Sequence, residues 1–304
     1  MNPDMRIVGL HALRFGVEDV EAAARFFSDW NLRVVARGPG ATFETEEGAQ
    51  VVILRSDDPS LPPPVGGKSQ LREIVWAVES NNDIERVADE LSKDRDVSVV
   101  DGVARTIDDS GYGLAFVVSS FRALAATNGD VNFPGVPVRV NRAVDFTARP
   151  SVRHLGHMAM FVPNFEEAME FYTSRLGFRV SDVYPGRGVF LRAAGSHDHH
   201  NLFLVHRGDM VGFHHMSFEV SDFHQIMQGG RQMQRNGWKT QFGPGRHTLG
   251  SNYFWYFHTP FGGACEYYSD MDYLDDSWEG RTWEYSPDVI AAWTAHVPDE
   301  NVGH

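Results

Sequence analysis

Three residues in the second half of the chain have the types and strand positions to hold one metal ion. They are His157 in Leu155-Gly-His-Met-Ala-Met-Phe-Val162, His215 in His215-Met-Ser-Phe-Glu-Val220 and Glu266 in Ala264-Cys-Glu-Tyr-Tyr268. Side chains alternate across a strand, so His157 shares a face with Ala159 and Phe161, His215 with Ser217 and Glu219, and Glu266 with Ala264 and Tyr268. A carboxylate buried alone in so aromatic a strand would be costly. Two histidines and one carboxylate from three strands can form the facial triad of non-haem Fe(II) oxygenases, which leaves positions open for substrate and oxygen. A single strand histidine is more often an ordinary core or surface residue. Of the 14 histidines, however, only His11 precedes residue 150, which makes the second half the place to look for chemistry.

The elements that must position these residues come from an internal repeat. Residues 17–35 answer residues 162–180: each shows a strand end, an acidic helix start, an apolar face ending in paired aromatics (Phe26-Phe27 and Phe171-Tyr172), and a new strand. Weaker copies start at Ile74 and His215, with helices expected at about 82–91 and 223–236. The pattern predicts an α+β protein of four βαβββ modules, paired into two half-barrel domains with cupped interiors. The boundaries read as 1–148 for a first domain without metal, 149–275 for a catalytic metal domain, and 276–304 for a tail. The tail carries Trp278, Trp283 and Trp293 and should pack on the body, with residues 301–304 frayed. Pro and Gly mark a loop at 59–67 and a connection at 128–150. Offsets of 145 and 150 residues set Ala12 against His157 and Phe116 against Glu266, so the first domain should lack the ligand set.

Composition narrows the function classes. Lys plus Arg is 27 and Asp plus Glu is 41, so the formal charge is −14, and no basic cluster offers a nucleic-acid surface. Apolar runs such as Val51-Val52-Ile53-Leu54 are too short to span a membrane, and the N-terminus lacks the features of a secretion signal. One cysteine, Cys265, excludes an intrachain disulfide and a multi-cysteine zinc site. A soluble, cytoplasmic protein is expected.

On these motifs the chain resembles the type I extradiol ring-cleavage dioxygenases of the vicinal oxygen chelate superfamily, most specifically from about Val152 to Asp276. The resemblance implies the vicinal oxygen chelate fold and His157, His215 and Glu266 as ligands of Fe(II), with Mn(II) as an option. It implies His200, in His197-Asp-His-His-Asn-Leu202, as a catalytic histidine. His247, in Gly243-Pro-Gly-Arg-His-Thr248, takes the place of a second active-site histidine, and Tyr256 that of a strand tyrosine. The implied reaction cleaves a catechol ring beside its two hydroxyls with O2, in a homo-oligomer. His197 and His199 read instead as a solvated loop tract, and His154, His206, His214, His224 and His258 as structural or surface residues. In relatives that cleave homoprotocatechuate an arginine precedes the Gly-Pro-Gly-Arg-His motif; here it is Phe242, which favours an apolar or small ring substituent, with Arg187, Arg192 and Arg246 as candidate counter-charges. Two other readings stay open: a glyoxalase-like metal isomerase, and a metal-free protein that binds an aromatic ligand.

Overall fold

The structure, a computed structural model, describes residues 5–65, 71–127 and 131–296. Residues 66 and 67 of the expected loop, 128–130 of the expected connection and the frayed end at 301–304 lie outside the described residues.

Four units follow one plan. The first is β1 (Ile7–Val17), α1 (Val20–Asp29), β2 (Arg33–Arg37), β3 (Ala41–Glu44) and β4 (Gln50–Arg55). The second is β5 (Leu71–Val78), α2 (Asn81–Leu91), β6 (Ser98–Val100), β7 (Val103–Ile107) and β8 (Gly113–Val118). The third is β9 (His154–Phe161), α3 (Phe165–Glu170) with a π-helical turn over Phe171–Arg175, β10 (Arg179–Tyr184), β11 (Gly188–Arg192) and β12 (Leu202–Val205). The fourth is β13 (Gly212–Glu219), α4 (Phe223–Arg235), β14 (Thr240–His247), β15 (Tyr253–His258) and β16 (Ala264–Ser269). The tail adds β17 (Arg281–Thr282), α5 (Pro287–Ile290) and β18 (Ala291–Thr294).

Local sequence explains the helix starts. Asp19 caps α1 by accepting from the Ala22 amide at 2.8 Å, and Asp222 caps α4 by accepting from Gln225 at 2.9 Å. Glu21 in α1 and Glu166 and Glu167 in α3 sit in first turns, where they meet the positive end of the helix dipole. The apolar stripes then bury Ala23, Ala24, Phe26 and Phe27 in α1, and Phe165, Ala168, Phe171 and Tyr172 along the third-unit helix.

Units pair into two sheets. The first has the order β2-β3-β4-β1-β5-β8-β7-β6, the second β17-β10-β11-β12-β9-β13-β16-β15-β14-β18. In each, the first strands of the two units run antiparallel side by side at the centre. This is the pseudo-twofold that the repeat predicts. The tail extends both edges of the second sheet, pairing β17 with β10 and β18 with β14. Between the sheets lies one continuous core. Trp30 stacks on Tyr267 with ring centroids 3.7 Å apart, and the Tyr267 hydroxyl donates to the Trp30 carbonyl at 2.8 Å.

Strand register corrects one expectation. His157 pairs with Ser217, and Ser217 with Glu266. In the first sheet Ala12 pairs with Val75, and Val75 with Ala115. The counterpart of Glu266 is therefore Ala115. Phe116 points the other way, into the main core. By the same register Glu73 answers His215, and it sits between Arg14 at 2.6 Å and Arg105 at 3.3 Å. An ion-paired carboxylate and small apolar side chains thus occupy the places of the second sheet's ligand candidates.

Asp108 offers a test of how the two halves are joined. Its buried carboxylate accepts from the Ser110 and Tyr112 amides and, at 2.8 Å, from the Tyr172 hydroxyl of the other half. Burial outweighs these bonds and pushes its carboxyl up to about 6, against about 3.9 in an unfolded chain. The folded state binds this proton more tightly, so the contribution is fully present below about pH 4 and lost as pH rises through about 6, by about 3 kcal/mol at most. The stability difference between the parent and Asp108→Asn should therefore change mainly within that window. Denaturant titrations at a series of pH values check this, and a difference that stays constant across the series would contradict it.

Candidate metal centre

The centre of the second sheet brings three strands together at the bottom of a cavity. His157 comes from β9, His215 from β13 and Glu266 from β16, each nearly or fully buried. One ligand atom from each lies within 4.8 Å of the others. Register explains this: the partners His157, Ser217 and Glu266 form one row across the sheet, and His215 lies two residues from Ser217 on the same face.

The chemistry of this set suits a divalent cation. Glu266 is fully buried and accepts from Ser217 Oγ at 2.5 Å and Asn252 Nδ2 at 3.3 Å, both neutral donors. Its ion-pair neighbours among the described residues are two imidazoles, His157 Nε2 at 3.1 Å and His247 Nε2 at 3.8 Å. His157 Nδ1 is buried with no hydrogen-bond partner. A cation bound between two imidazoles and this carboxylate would offset the cost of burying the charge.

The other residues singled out in the sequence surround the same cavity, whose volume is about 260 Å3. His200, just ahead of β12, has its ring centroid 4.1 Å from that of His157. Burial first, then the neighbouring histidines, hold its pKa well below the ordinary value. His247 Nδ1 meets the Ile290 carbonyl at 2.7 Å, and its Nε2 lies 3.0 Å from the Tyr256 hydroxyl. The carbonyl can only accept, so Nδ1 carries the proton, and Nε2 accepts from Tyr256 while the ring is neutral. Burial lowers the His247 pKa, and burial together with Glu266 raises that of Tyr256 well above its ordinary value, so this pair stays neutral.

Several expectations are corrected. His199 does not belong to a solvated tract: it is fully buried, and its Nε2 lies 2.8 Å from Asp182. His197, by contrast, is exposed as expected, with Nδ1 3.0 Å from the Leu274 carbonyl and its ring stacked on Tyr273. His206 and His214 also line the cavity. Among the candidate counter-charges only Arg187 lines it. Arg192 is buried elsewhere against the Ser196 and Asp275 carbonyls, and Arg246 pairs with Asp270. Asn252 had no signal in the sequence, whereas Ser217 follows from strand alternation. Tyr285 and Ile290 of the tail complete the wall.

The known proteins to which the chain is similar agree with this architecture. Residues 154–267 match the family model described as the Glyoxalase/Bleomycin resistance protein/Dioxygenase superfamily. The fold of the chain is the vicinal oxygen chelate fold. It is 37% identical over 151 residues to Metapyrocatechase 2 of Cupriavidus necator, a stretch covering 48% of this chain and 46% of that protein, so the match spans about half of the relative. Among solved structures, the Mn(II)-bound glyoxalase from Novosphingobium aromaticivorans superposes with a TM-score of 0.77 at 21% identity, covering 98% of this chain and 94% of the other. A halotolerant catechol dioxygenase superposes with a TM-score of 0.76 at 18% identity, covering 99% and 98%. At such identities these superpositions speak for the fold. Among the described residues no helix is long and apolar enough to cross a membrane.

Proposed function

We propose that the chain is an extradiol dioxygenase that cleaves a catechol-type ring beside its two hydroxyls with O2, using Fe(II) held by His157, His215 and Glu266. The observation that carries this reading is the convergence of those three buried side chains, two of which, His157 and His215, line the same cavity as His200, His247 and Tyr256. The similarity to Metapyrocatechase 2 supports it. A cytoplasmic location and a homo-oligomeric state belong to the same reading.

The bound metal would supply Lewis acidity toward the two diol oxygens, easing loss of a hydroxyl proton at neutral pH, and an open position for O2. The chain's own residues do the rest. The ring enters between apolar walls: Phe190 and Phe203 stack at 4.1 Å on one side, and Phe242 and Leu249 are buried on the other. These walls exclude water and favour an apolar or small ring substituent. Arg187 reaches the cavity with its guanidinium 4.8 Å from the Tyr285 ring, a contact that already engages the charge. Tyr256, backed by His247, holds a hydroxyl next to Glu266 where it can orient a diol oxygen. His200 is a neutral base beside His157, placed to take a proton from the diol side and return it to the oxygen side.

Anaerobic purification followed by metal analysis should find about one iron per chain. Oxygen uptake and absorbance with a panel of catechols should then show O2 consumed together with a coloured ring-fission product. Metal without oxygen uptake would favour the isomerase reading, and absence of bound metal the ligand-binding one.

A further inference from the structure

His200 ends a buried chain of side chains that runs away from the cavity. Its Nδ1 lies 3.1 Å from Nδ1 of His199, and His199 Nε2 lies 2.8 Å from Asp182 Oδ2. Asp182 is on β10, and it and His199 are fully buried. At the far end the tail closes on the same carboxylate. Arg281 donates from Nε to Oδ1 and from a terminal nitrogen to Oδ2, both at 3.0 Å, and Trp283 donates to Oδ1 at 3.0 Å.

These contacts fix every proton in the chain. A carboxylate only accepts, so His199 carries its hydrogen on Nε2. Arg281 already balances the charge of Asp182, so His199 need not be cationic. As a neutral ring it has one N–H, and its Nδ1 is therefore an acceptor. The contact at 3.1 Å then requires His200 to donate from Nδ1. His200 Nε2 is left as the lone pair available to the cavity.

We propose that Asp182 and His199 are positioning residues for His200: they fix its ring orientation and its tautomer, so that Nδ1–H points inward and Nε2 faces the cavity as an acceptor. The consequence for function rests on the reading of His200 as the acid–base group of ring cleavage. In that reaction a diol hydroxyl meets a lone pair and not a competing N–H. The clamp on Asp182 comes from the tail, so the segment beyond the repeat helps to set the active-site tautomer.

The test reads the tautomer directly. Two-bond proton–nitrogen correlation of histidine side chains, on the full-length chain stripped of paramagnetic metal, distinguishes a protonated Nδ1 from a protonated Nε2, and His200→Phe assigns the signals by deletion. The parent should show His200 protonated on Nδ1. In Asp182→Asn, Arg281 Nε and Trp283 Nε1 hold the amide oxygen at the Oδ1 position, so the amide nitrogen takes the Oδ2 position, gives up the second Arg281 bond and turns its N–H toward His199 Nε2. His199 must then carry its hydrogen on Nδ1, and His200 should switch to Nε2–H. The iron-loaded Asp182→Asn enzyme should lose about 10–100-fold in kcat, the range typical of partners that orient a site residue, with a much smaller change in KM. Arg281→Gln removes the charge that lets His199 stay neutral while leaving its bond to Asp182 in place, so it should move His200 part of the way toward Nε2–H and lose less activity than Asp182→Asn.

An Nε2–H tautomer in the parent overturns the proposal, and the parent spectrum decides this even where a variant misfolds. An unchanged His200 tautomer in folded Asp182→Asn also overturns it, and assigns any loss of activity to poor seating of the tail. The expected tautomers in a protein that oxygenates no catechol would uphold the positioning role and reject the dioxygenase reading instead.

Discussion

Replacing His157 by Ala should all but eliminate bound metal. The proposed site has three candidate ligands within 4.8 Å of one another, and removing one leaves an imidazole and a buried carboxylate that cannot enclose the ion. Loss of a partner outside the ligand set typically costs about 10–100-fold in metal affinity, and loss of a ligand should exceed that. Metal bound only to the folded state also stabilises it, by about 4 kcal/mol when its concentration is a thousand times Kd. Added Fe(II) under anaerobic conditions should therefore raise the Tm of the parent and leave that of His157→Ala nearly unchanged. The parent should bind about one ion per chain, because the matching places in the first sheet hold Ala12, Ala115 and a Glu73 already paired with Arg14 and Arg105. Full iron in the variant would remove His157 from the ligand set, and two equivalent ions per parent chain would contradict the register argument.

His200→Phe should separate binding from chemistry. His200 lies against the His157 ring but outside the group of convergent ligands, so the variant should keep its metal and still bind catechol anaerobically. Turnover should fall by about 10²–10⁴-fold, the range for a positioned acid–base group, with the loss in the oxygen-dependent steps. The comparison needs equal iron loading, since simple loss of iron would give the same fall. An iron-loaded variant that turns over catechols like the parent would reduce His200 to a wall of the cavity.

Much of the architecture was legible because the repeat carries it. Paired aromatics after acidic helix starts recur in the first and third units, and the helices form there with Asp19 and Asn164 as caps. The ligand candidates were legible because a strand's alternation states which side chains share a face. Alternation does not state register. The offset that set Phe116 against Glu266 was wrong by one residue, and one residue exchanges the two faces of a strand. Irregularities in the pairing of β1 with β5 and of β9 with β13 shift such offsets locally, so only the assembled sheet shows that Ala115 is the counterpart.

His199 marks the other limit. In the sequence it stands in a polar run, His197-Asp-His-His-Asn201, with nothing to separate it from a solvated loop. Its burial depends on Asp182, 17 residues earlier, and on Trp278, Arg281 and Trp283 of the tail. By itself, then, the sequence determined the four-unit plan, the half in which the candidate site lies and the three residues that could hold a metal, because each of these rests on local periodicity or on residue type. Tertiary structure alone decided the register across the sheet, the use of the tail as a cavity wall and the chain from Asp182 to His200. These depend on which distant segments meet, and hydrogen-bond partners far apart in sequence leave no periodic trace in it.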